Sequence, residues 1–310
     1  MFHMKYRHPL LILLPFIFGC TQNGASAPLV VAFEYAVEFH TMGPTEAWIP
    51  IPRSDPFQTI TDLHIETELT YQLVTDTLYG NRMVYINTYL DQPGARLTIS
   101  FTVTRVEASS VRAQLSARER ELYMSSYERV PLDDRFHAIA DSINANGTDF
   151  GRGVYNYILE HMTYDKSGEG WGQGDANYAC DVGKGNCTDY HSLFNVVVRS
   201  QGLPARFHIG FPIPAGKGGV IAGYHCWTEF YINEQWVPVD ISEADQIPRR
   251  EAYYYGRLDE RRVDFTVGRD IPLPNGRLGE VVNYFIYPYV KSDQQVTTDY
   301  TTRFTFKELS

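Results

Sequence analysis

The hydrophobic pattern changes its period near residue 131, and this change limits the folds that the chain can adopt. From Leu29 to about Ala108, apolar residues alternate with polar ones, as in Phe33-Glu34-Tyr35-Ala36-Val37, which is typical of half-buried strands. Turn sequences such as Asp91-Gln92-Pro93-Gly94 separate the runs, and no helical period lies between them. We therefore predict an antiparallel β-sandwich domain at residues 29–130.

Residues 131–310 begin with helical periods and continue with strands, which predicts an α+β domain. The first helix is expected to start at Asp133 or Asp134 and to stop at Asn146-Gly147. A second helix is expected around residues 154–162. Residues 166–186 contain six glycines and are predicted to be largely loop. A third helix has apolar residues at i, i+3, i+4, i+7 and i+8. These are Tyr190, Leu193, Phe194, Val197 and Val198. Strands are predicted at 205–211, 224–232, 236–241, 263–267, 281–290 and 301–307.

The N-terminus has the two halves of a secretory signal peptide, a basic start and a short apolar stretch. The apolar run at residues 9–18 is shorter than the roughly 20 residues that a membrane-spanning helix needs. Ile17-Phe18-Gly19-Cys20 resembles a bacterial lipobox. We therefore predict a signal peptide at residues 1–19, lipidation of Cys20 and a lipid-anchored linker at 20–28. A plain signal peptide cleaved near residues 25–27 is the alternative, and either one predicts an exported protein.

Composition excludes several classes of function. The chain has 27 Lys+Arg against 37 Asp+Glu, a net charge of −10, and no basic cluster larger than pairs such as Arg261-Arg262, so no nucleic-acid partner is expected. No phosphate-binding loop or acidic calcium loop is present. The adjacent His225-Cys226 pair cannot face one zinc ion from a regular strand. We expect neither a cofactor nor a metal.

Cys187 is the candidate nucleophile because it lies in the first turn of the third predicted helix. Asn186 is a good N-cap, and Asp189 is placed to complete a capping box. A thiol at a helix N-terminus is close to unpaired N–H groups and to the positive end of the helix dipole, which favour the thiolate. The same N–H groups can stabilise an oxyanion.

Two histidines compete as the base for Cys187. His191 is one helical turn away, but a helix supplies no obvious group to orient it. His225 lies on a predicted strand that turns at Asn233-Glu234-Gln235 and returns to Asp240 close to the position opposite His225. A carboxylate there can hold one imidazole nitrogen while the other faces a thiol. We therefore predict the set Cys187, His225 and Asp240.

Four stretches make the chain similar to the bacterial transglutaminase-like superfamily. They are residues 178–194 around Cys187, Gly202-Leu203-Pro204-Ala205-Arg206, Gly223-Tyr224-His225-Cys226-Trp227 and Trp236-Val237-Pro238-Val239-Asp240. The resemblance implies a papain-like core with Cys187 as nucleophile, His225 as base and Asp240 as its orienting group. The strand-rich stretch before it resembles the β-sandwich that often precedes this core. Tissue transglutaminases have Gly-Gln-Cys-Trp at the nucleophile, where this chain has Gly185-Asn186-Cys187-Thr188.

The expected function is cysteine-dependent acyl transfer on peptide or amide bonds of a protein or peptide substrate, through a thioester. The departure at the nucleophile leaves cross-linking and hydrolysis both open. An inactive envelope binding or structural module with the same fold is the alternative. Trp171 and Tyr178 are two candidates for an oxyanion donor, and a Cys180–Cys226 disulfide is an alternative to two free thiols. On a regular strand the Cys226 side chain is expected to point away from Cys187.

Overall fold

The computed structural model describes residues 27–145 and 149–309. The predicted signal peptide, Cys20 and the Asn146-Gly147 helix stop lie outside these residues. The fold is mixed α/β and contains more strand than helix. Within the described ranges, none of the helices combines the length and apolar character needed to cross a membrane.

The chain alternates between strand-rich and helix-rich regions. The first region contains β1 (Leu29–Phe39), β2 (Gly43–Ile51), β3 (Gln58–Thr67), β4 (Tyr71–Thr75), β5 (Arg82–Leu90), β6 (Ala95–Arg105), β7 (Ala108–Ser109) and β8 (Val111–Arg112). The middle region contains α1 (Ala117–Met124), α2 (Asp134–Asn144), α3 (Phe150–His161), β9 (Thr163–Tyr164), α4 (Ala176–Val182), β10 (Lys184–Gly185), α5 (Cys187–Ser200), β11 (Ala205–Pro212), β12 (Gly218–Val220), β13 (His225–Ile232), β14 (Gln235–Val239) and α6 (Ile241–Gln246). The last region contains a 3₁₀ turn (Pro248–Arg250), β15 (Arg257–Leu258), β16 (Arg262–Val267), β17 (Ile271–Pro272), β18 (Val281–Val282), β19 (Tyr289–Ser292), β20 (Gln295–Thr297) and β21 (Tyr300–Glu308).

Two five-stranded sheets combine the first strands with the last ones. Their orders are β12-β21-β1-β6-β3 and β20-β19-β2-β5-β4. Every second side chain of β1 is buried, and these residues share one hydrophobic cluster with inward-facing residues of β2, β5, β6 and β21. The predicted domain limits group residues 289–308 with the second domain, whereas β19 and β21 pair with β2 and β1.

A third sheet, ordered β16-β11-β13-β14-β8, carries α5 on one face. Thr228 and Asn195 are hydrogen-bonded across this contact, and the rings of Phe194 and Phe230 lie 5.5 Å apart in T-shaped geometry. All 14 residues of α5 are buried, so the predicted apolar stripe understates its burial. The packing brings the N-terminus of α5 to the start of β13.

Two segments differ from their predicted structure. Residues 166–186 contain the short helix α4, whose N-cap Asp175 accepts hydrogen bonds from the backbone N–H groups of Asn177 and Tyr178. The predicted strand 281–290 is broken between β18 and β19, because Pro288 has no N–H for a ladder and the residues before it bond to other loops.

Candidate active site

The N-terminus of α5 holds Cys187, as its capping sequence predicts. The Asn186 side chain accepts a hydrogen bond from Thr188 N–H at 2.9 Å, and the Asp189 carboxylate accepts one from Asn186 N–H at 2.9 Å. Together these contacts form a capping box. Cys187 is the first helical residue and is only 2% exposed. Its N–H is one of the helix's first donors, which have no acceptor within the helix.

His225 and Asp240 meet because of a tight hairpin between β13 and β14. Asn233 and Glu234 both have positive φ, 51° and 60°, as a type I′ turn requires. The strand register pairs Thr228 with Val239, so Asp240 arrives near the start of β13. His225 Nε2 lies 2.7 Å from Asp240 Oδ2. This contact leaves Nδ1 of His225 for its side-chain hydrogen bond with Cys187.

The surroundings of Cys187 and His225 favour an ion pair. Burial raises the pKa of the Cys187 thiol, but hydrogen bonds from the side chains of Cys226 and His225 and the charge on His225 outweigh it and lower that pKa to about 5. Burial lowers the pKa of His225, but the Asp240 carboxylate and the bond to Cys187 raise it well above its usual range. Both shifts favour a thiolate beside an imidazolium at neutral pH.

Asp240 is fully buried, and its carboxylate has four hydrogen-bond partners. It caps α6 by accepting from Glu243 N–H and Ser242 Oγ at 3.1 Å each on Oδ1. Its Oδ2 accepts from Arg262 Nη1 at 2.8 Å, in addition to His225. Burial raises the pKa of the Asp240 carboxyl, but the charges of His225 and Arg262 hold it far below its usual range. Asp240 therefore keeps its negative charge.

Arg262 was not identified from the sequence. In the sequence, Arg261-Arg262 is only a small basic pair, and nothing in the local pattern marks one of the two as buried. In the structure the Arg262 guanidinium is 3% exposed, bonds Asp259 and Asp240, and lies 5.2 Å from the Trp227 ring. This is a cation–π contact in addition to two charge pairs.

His191, the competing base, is engaged elsewhere. Its Nε2 accepts a hydrogen bond from Ile241 N–H at 3.1 Å, and its ring also bonds to the backbone of Cys187. Burial lowers the pKa of His191 to about 4, in spite of the nearby Asp240 carboxylate, so the ring is neutral. His191 thus connects the first turn of α5 to the start of α6.

The glycine-rich segment near Cys187 is held by the buried carboxylate of Asp189. Gly172 and Gly174 have φ of 80° and 62°, which aim their N–H groups at Asp189 over 2.7 and 3.0 Å. The Tyr284 hydroxyl donates to Gly172 O at 2.8 Å, and Arg269 donates to Gly174 O at 3.0 Å. These four hydrogen bonds hold the glycine-rich segment against α5 and against residues 269 and 284.

The two predicted oxyanion donors, Trp171 and Tyr178, both lie against the glycine-rich segment. Trp171 Nε1 donates to Gly168 O at 3.2 Å, within its own loop. The ring of Tyr178 packs against Gly170. Tyr224, which the sequence analysis did not select, accepts a hydrogen bond from Asn186 Nδ2 at 3.0 Å, next to the nucleophile. Its position beside His225 in the sequence was the only available signal.

Three cysteines lie in the described residues, and all three are free thiols. The prediction that Cys226 points away from Cys187 is wrong, since the two side chains are hydrogen-bonded. Cys226, Thr228 and Phe230 share the strand face that contacts α5. His225 is the first residue of β13, and it approaches Cys187 from the end of the strand.

Two glutamates near the site have different surroundings. Glu243 Oε1 lies 4.0 Å from His225 Nε2, farther than Asp240. Glu229 is bonded to Arg206 and lies 3.2 Å from His208, on the other face of the sheet. Among the described residues, no group of three or more His, Cys, Asp and Glu side chains is arranged to hold a metal ion.

A helix that presents a thiol to a histidine held by a carboxylate, on an antiparallel sheet, defines a papain-like cysteine-enzyme fold. Residues 137–241 match the family model of the transglutaminase-like superfamily. That segment, about a third of the chain, is therefore similar to a transglutaminase-like core, as its motifs predict.

Comparison with individual proteins extends the likeness beyond this core. An uncharacterized protein from Haemophilus influenzae (strain ATCC 51907 / DSM 11121 / KW20 / Rd) is 24% identical over 309 residues, covering 84% of each chain. The crystal structure of a proposed cysteine protease from Cytophaga hutchinsonii superposes with a TM-score of 0.66 at 13% identity, over 93% of each chain. The periplasmic domain of TgpA from Pseudomonas aeruginosa matches at a TM-score of 0.38 and 16% identity, over 73% of this chain and 93% of that domain.

Proposed function

We propose that this protein is a cysteine-dependent acyl-transfer enzyme that acts on peptide or amide bonds. One observation carries the proposal, namely the unbroken series of side-chain contacts from Asp240 through His225 to Cys187 at a helix N-terminus. A purely structural core needs no ionised thiol, and it gains little from burying the charges that produce one.

Each member of this series has one role in the proposed reaction. The Cys187 thiolate attacks the carbonyl carbon of the scissile bond, and the backbone N–H of Cys187 stabilises the oxyanion, because the N–H groups of Thr188 and Asp189 already donate to Asn186. The His225 imidazolium donates its proton to the leaving amine, which gives a thioester on Cys187. Asp240 keeps His225 in the orientation and tautomer that this transfer requires.

The acceptor that releases the thioester is proposed to be water. The chain has Thr188 where tissue transglutaminases have Trp after the nucleophile, so the resemblance does not extend to cross-linking there. The name of the Cytophaga relative, a proposed cysteine protease, agrees with hydrolysis of a protein or peptide substrate. Transfer to an amine is the second outcome that the experiment below distinguishes.

We also propose that the enzyme works outside the cytoplasm, anchored to an envelope membrane through lipidated Cys20. The basic start, the short apolar run and Ile17-Phe18-Gly19-Cys20 support this proposal. The two five-stranded sheets that share one core support the predicted β-sandwich. That sandwich would then separate the catalytic core from the membrane surface.

Intact-mass spectrometry after incubation with peptide and glutamine-type amide donors tests the proposal. We expect an acyl adduct on Cys187 that decays in water and, if amines are accepted, decays faster with an added primary amine. Cys187→Ser should abolish the adduct, and Cys180→Ser, a matched change at a thiol remote from His225, should preserve it. Absence of any adduct from wild type, together with an unreactive Cys187 thiol, would favour the inactive envelope module.

A further inference from the structure

Cys226 is a buried nucleophilic group that the proposed acyl transfer does not use. It is 0% exposed, and its side chain is hydrogen-bonded to that of Cys187. The backbone of Cys226 also bonds to Cys187, and its sulfur lies 3.8 Å from His191 Nδ1. Cys187 and Cys226 also belong to the same buried hydrophobic cluster, so the two thiols are neighbours in the interior.

We propose that Cys187 and Cys226 form a reversible disulfide when the protein meets hydrogen peroxide or an organic hydroperoxide. The bridge would be a modification site that takes the nucleophile out of action and returns it on reduction. This inference concerns thiol chemistry alone, and it does not require that the protein turns over a substrate.

The chemistry takes two balanced steps. The Cys187 thiolate attacks one peroxide oxygen, the O–O bond breaks, and the departing hydroxide takes up a proton to become water, which leaves a sulfenic acid on Cys187. The Cys226 sulfur then attacks the sulfenic sulfur, the S–O bond breaks, and the Cys226 proton leaves with the hydroxyl as a second water. The two sulfurs lose two electrons, and hydrogen peroxide becomes two waters. With an organic hydroperoxide the first departing group is an alkoxide, which takes up a proton to become an alcohol, and only the second step releases water.

The contact between the thiols favours this route over the two competing ones. A sulfenic acid without a partner thiol is oxidised further to sulfinic acid, which ordinary reductants do not reverse. A bridge to Cys180 is disfavoured because that thiol lies on α4 beside Arg135 and Asp181 and packs against a different hydrophobic cluster from Cys187 and Cys226.

The protonation of Cys226 explains why the two thiols do not react with each other before Cys187 is oxidised. Burial and the nearby Cys187 thiolate raise the pKa of Cys226, so it stays protonated and donates to that thiolate. Conversion of Cys187 to a sulfenic acid removes the negative charge, and the Cys226 proton is then easier to lose. Attack by Cys226 is therefore expected only after Cys187 has been oxidised.

Peptide mapping of the full chain tests the proposal. Reduced protein is treated with stoichiometric hydrogen peroxide, its remaining thiols are blocked with iodoacetamide, and it is digested without reductant. Wild type should give a Cys187–Cys226 cross-linked peptide, about 2 Da lighter than the two reduced peptides together. Cys180 should be recovered as an alkylated thiol, although it is the more exposed residue. Dithiothreitol should restore nearly all of the Cys187 thiol.

Two matched variants separate the bridge from general oxidation. Cys226→Ser keeps a hydrogen-bond donor beside the thiolate but cannot form the bridge, so Cys187 should gain about 32 Da and less than about a tenth of its thiol should return on reduction. Cys180→Ser should behave as wild type.

Wild-type Cys187 that accumulates sulfinic acid without a cross-link would overturn the inference, and this result does not depend on how the variants fold. If the wild-type protein forms the Cys187–Cys226 disulfide but Cys187 is not acylated by any donor, only the proposed function is refuted.

Discussion

Replacement of Asp240 by Asn is the most informative single change in the site, because it removes one charge and keeps the shape. Asn is as good an N-cap as Asp, so the start of α6 should persist through the bond from Glu243 N–H. The other side-chain atom becomes an NH₂ group that faces His225 Nε2 and Arg262 Nη1, where Oδ2 accepted from both. His225 must then accept at Nε2 and carry its proton on Nδ1.

In that tautomer Nδ1 already carries a proton, so His225 cannot take one from Cys187. The loss of this base sets the size of the expected fall in kcat. We expect kcat to fall by about 10²–10⁴, as in other triads whose carboxylate is replaced by an amide. At about 1.4 kcal/mol for each factor of ten, this is about 3–6 kcal/mol of barrier. The loss of one partner from a buried charge pair costs about 3–5 kcal/mol of stability. Because Arg262 keeps Asp259, we expect the lower end, about 3 kcal/mol, which most domains tolerate.

The assay is the rate of Cys187 alkylation by iodoacetamide as a function of pH, which needs no substrate. The midpoint of the wild-type profile should lie near the lowered Cys187 pKa of about 5. In Asp240→Asn it should move up by several pH units, towards the ordinary thiol value of about 8.5. The midpoint is the useful quantity, since a thiolate of higher pKa is intrinsically more nucleophilic and partly hides the effect in a single rate.

Asp259→Asn is the matched control, because Asp259 bonds Arg262 but does not contact His225. It should lower the free energy of unfolding, measured by guanidinium denaturation, without moving the alkylation midpoint. An Asp240→Asn protein that stays folded and keeps the wild-type midpoint would refute the orienting role. A midpoint that moves equally in both variants would assign the effect to loosened packing around Arg262.

Two further predictions concern the contacts of Cys187, and a third concerns the proposed lipid anchor. Limiting iodoacetamide at neutral pH should modify Cys187 well before Cys180 and Cys226, by peptide mapping, whereas equal labelling of all three would contradict the lowered pKa. The pair of Cys187 and His225 should stabilise the fold most between about pH 6.5 and 8.5. The contribution of Cys187, whose pKa is lowered, declines as the pH falls towards about 5. The contribution of His225, whose pKa is raised, declines as the pH rises towards that raised pKa. The difference in unfolding free energy between wild type and Cys187→Ala, measured from pH 5 to pH 10, should pass through this maximum, and a flat difference would exclude the ion pair. Cys20→Ser should release the protein from the membrane fraction or leave it unprocessed, and wild type should incorporate a palmitate analogue; a mature N-terminus several residues beyond Cys20 would contradict the anchor.

Features that depend on neighbours in the sequence could be predicted. The capping box at Asn186 and Asp189 follows from residues three apart, and its prediction is confirmed. The approach of Asp240 to His225 follows from a hairpin only a few residues long. Such contacts are limited by local geometry, so residue type and spacing suffice to indicate them.

Contacts between distant segments could not be predicted in this way. Tyr284 meets Gly172 across 112 residues, and an aromatic run by itself indicates only packing. The error at Cys226 has a different cause. Strict alternation of side chains holds within β13, but His225 is its first residue, and a strand end does not fix the direction of the side chain.

Arg262 shows that the functional unit is longer than the segment that matches the family model. That segment ends at residue 241 and includes Cys187, His225 and Asp240, but the guanidinium that bonds Asp240 comes from β16. Burial alone would favour a neutral Asp240, and a neutral carboxyl cannot raise the pKa of His225. With the pKa of His225 unraised, the imidazolium that stabilises the thiolate is lost at neutral pH. The negative charge on Asp240, which His225 and Arg262 both stabilise, therefore depends in part on strand pairing beyond the segment that matches the family model. There β16 pairs with β11 and places Arg262 beside the Trp227 ring.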